Sequence, residues 1–133
     1  WINQRLKSIE IRKDLTDEWE VRGVSQGNEF AILTDDITFA WAGIKTKQYK
    51  KYKNLKKENL RDNMTNLELV LNMLAEVSTT EISKKVEPKN FIQNRQVAHE
   101  GGSIAGTARR KLEKKTGKKA ITRLNAKGLK LIK

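Results

Sequence analysis

A chain of 133 residues with 37% apolar and 33% charged side chains has room for one modest core and some polar extensions. It has no cysteine and a single histidine, which excludes disulfides, Cys–His nucleophiles and conventional zinc sites. Its net charge of +12 is concentrated: residues 45–61 hold eight basic side chains against one acid and residues 109–133 eleven against one, while 1–44 and 62–108 are mildly acidic. Such clustering points to a polyanionic partner more than to general solubility.

No apolar run approaches the roughly 18–20 residues of a membrane span, and no secretory apolar region is present. A cytoplasmic protein without a membrane partner is expected. The chain begins at Trp1 without an initiating methionine and reads as part of a longer protein.

Taken in order, spacings of three and four recur and sustained alternation is scarce, which predicts an all-α fold of five to seven helices. In the opening helix Ile2, Leu6 and Ile9 form one stripe, and Ile11, Leu15 and Trp19 a neighbouring one. Thr16, with Asp17 and Glu18 behind it, is placed to cap a fresh turn, and Gly23 to end it. A second helix falls within 28–42, with Thr34 as an internal cap, Ile37, Ala40 and Trp41 facing inward, and Gly43 as a left-handed exit. Thr46 then caps a basic helix over 46–56, with Tyr49, Tyr52 and Leu55 on one side and Lys47, Lys50, Lys51 and Asn54 on the other.

Thr65-Asn66-Leu67-Glu68 is a capping box. Behind it Leu67, Val70, Leu71, Leu74 and Val77 mark an apolar stripe. Ser78-Thr79-Thr80-Glu81 repeats the box, so a break and restart is open there. Pro88 suits the first position of the next helix. Ala98, Gly102 and Gly106 lie four apart: an unbroken helix would show a smooth strip that another backbone can approach, and a break at 101–102 is the alternative. The helix stops at Gly117. Three units are expected: a helical core over 1–87, a helical extension over 88–117, and a flexible basic arm over 118–133.

Little here supports enzyme chemistry. His99 before Gly101-Gly102 reads as an exposed residue rather than a general base. Asp35 and Asp36 diverge on a helix and lack a third carboxylate for Mg²⁺. Gly101-Gly102-Ser103 lacks the order of a phosphate-binding loop and no strand precedes it. Neither catalysis, a metal nor a cofactor is expected.

Residues 34–55 resemble a helix-turn-helix. Around Gly43, Phe39, Ile44, Tyr49 and Tyr52 fall where that motif packs its helices, although Phe39 is large for the close crossing. An ordinary helical hairpin with a solvated lysine face is the alternative. Under the motif, Lys47 and Gln48 sit nearest base edges, and Lys50, Lys51 and Lys53 take phosphates, with Lys45, Lys56, Lys57 and Arg61 alongside. Lysine is a poor bidentate reader of guanine, so weakly specific binding is expected. The second block contributes Arg109, Arg110, Lys111, Lys114, Lys115, Lys118 and Lys119, more cations than a helix C-terminus needs. Trp1 and the tyrosines are candidates for base stacking, whereas Trp19 and Trp41 lie on apolar faces and read as core.

Three stretches, "RGVSQGNEFAILTDDIT", "YKKYKNLKKENLRDNMTNLELVLNMLAEVSTTEIS" and "GGSIAGTARRKLEKKTGKKAIT", resemble the C-terminal part of DNA-damage-inducible protein D and its relatives, and the likeness runs from Trp1 to about Asn125. These are bacterial and prophage proteins with an N-terminal Bro-type antirepressor domain, which would precede Trp1. The resemblance implies a bacterial, non-enzymatic role connected with DNA: SOS-type induction on damage, modulation of a recombinase on its nucleoprotein filament, or interference with a phage-type repressor. It brings no catalytic motif. The expected function is a DNA-associated regulatory module, with single or double strand left open. The alternative is a protein-interaction or homo-oligomerisation module in which the 98–106 strip and the 67–77 stripe pair with another chain.

Overall fold

The computed structural model describes residues 2–127. Every regular element among them is helical: α1 (Ile2–Val21), α2 (Asn28–Ala42), α3 (Thr46–Tyr52), a 3-10 turn (Arg61–Asn63), α4 (Asn66–Val86) and α5 (Phe91–Thr116). None is long and apolar enough to cross a membrane. The fold is all-α.

Helices α4 and α5 form an antiparallel hairpin across the short link 87–90, with α1 laid on α4 and α2 on α5. The ion pairs Arg5–Asp62, Arg12–Glu76 and Arg22–Glu87 run in step along α1 and α4, so these two helices are parallel. Helix α2 runs parallel to α5, tied by Arg95–Asp36 near one end and by Arg109 to the Trp41 carbonyl near the other. Leu15, Trp19, Leu33, Ile37, Trp41, Leu69, Ala75, Ala98 and Ala105 fill the space between them. The segment 88–117, expected as an extension, is a wall of this core.

The Thr65 box forms as predicted: the Thr65 hydroxyl accepts from the Glu68 N–H and the Glu68 carboxylate from the Thr65 N–H. Gly43 and Gly117 close α2 and α5 in the left-handed conformation. Other local expectations yield to longer helices. Thr16 and Thr34 lie inside α1 and α2, each donating back to a carbonyl of the preceding turn. The repeated box at Ser78 does not interrupt α4. Helix α5 begins at Phe91 rather than at Pro88, and Asn90 caps it through the Gln93 N–H.

Helix α5 continues unbroken through Gly101 and Gly102. The smooth strip is used within the chain. A Cβ on Gly102 would stand 2.6 Å from the Ala40 Cβ and from the Ile37 carbonyl oxygen, and one on Gly106 would run into the Ala40 carbonyl. On its other side Gly101 abuts the Thr79 backbone. These glycines let three helix backbones come together.

The α4 stripe faces outward, Leu71 excepted. Leu67, Val70, Leu74 and Val77 are each 38–40% exposed. The buried side carries Leu69, Leu71 and Ala75 with Glu68, Asn72, Glu76, Thr79 and Ser83. Ile2, Leu6 and Ile9 are likewise open to solvent, while Leu15 and Trp19 are core.

Candidate nucleic-acid interface

The turn after Gly43 places α3 across the end of α2. Tyr49 is fully buried, its ring edge-on to Trp41 at 6.0 Å. Ile44 packs on the core, whereas Phe39 is half exposed. Two of the expected motif contacts therefore exist. The helix is short, however: Thr46 is its first residue rather than its cap, and α3 ends at Tyr52 instead of reaching 56.

Beyond Tyr52 the backbone leaves the helix through a left-handed Asn54 (φ 60°), and the residue at the turn is the buried Lys53. Its side chain is 0% exposed, bonded to Glu68 Oε1 at 2.7 Å and to the Leu124 carbonyl at 2.5 Å, and it lies 5.8 Å from the centre of the Tyr49 ring. Glu68 also accepts from the Tyr49 hydroxyl and from the Thr122 N–H. Burial lowers the affinity of Lys53 for its proton, opposed by the Glu68 hydrogen bond and charge. Burial, with Glu68 adding to it, pushes the Tyr49 hydroxyl well above its ordinary value. Lys53 is thus no phosphate ligand. A lysine whose ammonium is fully buried and held by a carboxylate and a carbonyl is out of reach of a strand.

The same lysine fastens the basic arm. Asn125 donates to the Lys53 carbonyl, and the Ala126 N–H to Asn63 Oδ1 at 2.8 Å. Ala120 is buried, with its N–H bonded to Glu113. Residues 118–127 are therefore docked on α3 and on the start of α4, contrary to the expected flexible arm, whose last residues, 128–133, lie outside the described residues.

Docking brings the two basic blocks to one groove of about 490 Å³, lined by Ile44, Gln48 and Tyr52 on one side and by Arg109, Lys119 and Ile121 on the other. Arg109 is committed: it donates to the Trp41 carbonyl at 2.7 Å, a cation at the C-terminus of α2, and pairs with Glu113 at 2.8 Å. Arg61 is also committed, to the buried Glu76 at 2.6 Å. Gln48 and Lys119 line the groove and are exposed; Lys45, Lys47 and Lys51 at α3 and Lys118 beside Lys119 are exposed too, and among the described residues none of these lysines makes an ion pair. Lys56 and Lys57 are exposed beyond α3, their N–H groups donating to Glu58. Lys50 is half-buried on the opposite flank of α3, where it lines a second, polar cavity.

The second block is split. Arg109 and Glu113 face the groove, whereas Lys111, Lys114 and Lys115 are exposed on the opposite side of α5, one helical face away. Arg110 flanks the groove side, exposed and hydrogen-bonded to Thr107.

Arg123 was absent from the expected site. Its guanidinium lies 5.3 Å from the centre of the Tyr52 ring, a cation–π contact that orients both side chains at the groove edge. No local pattern marks Arg123, because its partner is 71 positions earlier in the sequence. Trp1, a stacking candidate, lies outside the described residues.

Asp35 and Asp36 are spent on the Thr46 N–H and on Arg95. Gly101 and Gly102 are buried mid-helix and form no phosphate turn. His99 is exposed beside Asp36, Arg95 and Glu100 in a shallow groove between α2 and α5. Among the described residues no cluster of His, Asp and Glu could hold a metal ion. Comparison with known proteins gives no match: no family model, curated protein or solved structure is significantly similar to the chain.

Proposed function

We propose that this chain is a non-enzymatic, DNA-associated regulatory module that receives the nucleic-acid backbone along α3 and the groove it shares with the end of α5. The observation that carries this reading is the set of exposed lysines, Lys45, Lys47 and Lys51 at α3 and Lys118 and Lys119 on the returning segment, none in an ion pair among the described residues, near a groove with the apolar walls Ile44, Tyr52 and Ile121. Glu113, the carboxylate lining the groove, is taken by Arg109, so the lysines near it repel one another, and a polyanion relieves that repulsion with release of counterions. Gln48 is the one exposed amide among them, so backbone attraction outweighs sequence reading. The three stretches resembling the DNA-damage-inducible protein D family point the same way. They suggest a recombinase or repressor as the protein partner and a bacterial cytoplasmic setting, to which the comparisons add nothing.

The test is fluorescence anisotropy against single-stranded and duplex DNA at 50 and 200 mM salt. With roughly four phosphates engaged, affinity should fall about 50- to 150-fold between those concentrations. The triple variant K47E/K51E/K119E should lose binding while keeping its circular dichroism, and K84E/K85E, at the far end of α4, should bind normally. Salt-insensitive binding, or binding unchanged in the triple variant, contradicts the reading.

A second reading rests on Leu67, Val70, Leu74 and Val77, an exposed apolar row on α4. Such a row suits contact with another protein or a second copy of the chain. The expected 98–106 strip cannot serve that role, because α2 covers it. Under this reading V70D/L74D would reduce a sedimenting dimer to monomer without altering DNA affinity. A wild-type chain that is monomeric at high concentration excludes the second-copy form.

A further inference from the structure

On the other flank of α3 a half-open cavity of about 200 Å³ lies between α2, α3 and the 3-10 turn, lined by Thr38, Thr46, Lys50, Asn59, Arg61 and Asn72 among others. Two of these residues carry buried polar atoms without a hydrogen-bond partner, Thr46 Oγ1 and Arg61 Nε. A buried donor left unpaired costs about 1–3 kcal/mol, more when it is charged, so folded proteins rarely keep two beside one cavity unless something occupies it.

Charge points to what that occupant is. Arg12 and Arg61 share a single carboxylate oxygen of Glu76, at 3.1 and 2.6 Å. Among the described residues Lys50 makes no ion pair, and nearby Asp35 accepts from the Thr46 N–H at 3.3 Å. Of the residues lining the cavity Lys50 and Arg61 are cations and none is a carboxylate; Arg61 is matched by Glu76 behind the wall, which leaves the Lys50 charge in excess. Arg12 holds its proton less tightly than usual, chiefly through burial and partly through Arg61, against the pull of Glu76. Water would satisfy the hydroxyl and the guanidinium N–H but leave the charge uncompensated. At roughly 30 Å³ per water molecule, the space exceeds what one or two waters fill.

We infer that this cavity is a binding site for a small tetrahedral oxyanion of the phosphate class, held by the Arg61 Nε–H, the Thr46 hydroxyl and the Lys50 ammonium. The site does not rest on the α3 groove binding DNA. The same chemistry is offered by free phosphate and by the terminal phosphate of a strand, and the two are separated by experiment.

Inorganic phosphate is titrated into the full chain at constant ionic strength, with chloride as control, and the indole N–H resonance of Trp41 is followed. That N–H is bonded to Asn72 Oδ1 at 3.2 Å, and Asn72 lines the cavity. Saturable shifts of this resonance and of the Thr46 amide are expected, weakened at least five-fold in T46V and in K50A and unchanged in K114A/K115A. T46V keeps the shape of the side chain, so loss of the response there is not loss of fold. A short oligonucleotide that produces the shifts only when 5′-phosphorylated identifies a strand end as the source. No response to either oligonucleotide, with inorganic phosphate alone responding, leaves free phosphate as the ligand. No saturable shift with either probe overturns the site. So does a response that survives in T46V and disappears in K114A/K115A.

Discussion

Glu68 is the residue on which the interface side of the molecule is assembled. One carboxylate oxygen takes the Thr65 N–H and the Lys53 ammonium, and the other the Tyr49 hydroxyl and the Thr122 N–H. A fully buried carboxylate is tolerable only when its lone pairs are satisfied and its charge is matched. Here a helix cap, a lysine, a phenol and the returning arm do both. The arrangement has a pH signature. Tyr49 is raised above its usual value of about 10, so above that pH the unfolded chain gives up this proton while the folded chain keeps it. Its contribution to stability is constant below about pH 10 and falls above it by roughly 1.4 kcal/mol per pH unit. Lys53, whose value is lowered by burial, acts in the opposite sense below its ordinary value, but it is present in both proteins when the wild type is compared with Y49F. Urea unfolding at pH 8, 10 and 11 should show the stability difference between the two shrinking above pH 10. A constant difference would mean that the hydroxyl is not held by Glu68. Nothing in "KTKQYKKYKNLKK" distinguishes Lys53 from its neighbours. Its partners lie 15 and 71 positions away, beyond any local pattern.

At the scale of the element, α4 and α5 show what periodicity can and cannot say. The row Leu67, Val70, Leu74 and Val77 does share one face, as the spacing predicts. That face is outward, because α1, α2 and α5 pack on the other sides of α4, and its polar residues find partners on α1, on α2, after α3 and in the 3-10 turn. Glu76 meets Arg12 and Arg61, Asn72 meets Trp41, and Glu68 meets Lys53. A spacing rule that equates polar with exposed inverts such a helix. In α5 the small-residue strip was legible, and its partner was not: whether another chain or α2 covers it depends on where the chain turns. Replacing Gly102 by Ala is a direct probe. Alanine is the better helix former by roughly 1 kcal/mol, yet its methyl would stand 2.6 Å from the Ala40 Cβ and the Ile37 carbonyl oxygen. Overpacking should dominate, with a net loss of about 1–3 kcal/mol in urea unfolding. Unchanged or increased stability would show that α2 and α5 separate easily.

At the scale of the whole molecule, the C-terminal segment joins the ends of the fold. Residues 120–126 reach Glu113, Glu68, Lys53 and Asn63, so α3, α4 and α5 are held by one strap that also sets the far wall of the groove. A chain ending at Gly117 would leave the Lys53 ammonium without its carbonyl and Glu68 without the Thr122 N–H. With two buried groups short of a partner at about 1–3 kcal/mol each, it should unfold at clearly lower urea. It should also lose α3-dependent DNA affinity beyond what the removed charges explain. If stability is unaffected, the strap is not part of the folded unit. The charge blocks are divided by the same geometry. Lys118, Lys119 and Arg123 come round to α3, while Lys111, Lys114 and Lys115 remain on the outer face of α5.

The all-α class, the Thr65 capping box, the left-handed exits at Gly43 and Gly117, the buried Trp19 and Trp41 and the two basic blocks were determined by the sequence alone. Each depends on residues within about one helical turn, or on the plain preference of a large apolar ring for the interior. The tertiary structure alone decided which cations remain free. Lys53 and Arg61 disappear into pairs with Glu68 and Glu76, Arg109 is drawn to the Trp41 carbonyl, Lys50 turns to a separate cavity, and Arg123 joins the groove. Coulomb attraction acts through space, and folding brings together charges that the chain keeps far apart.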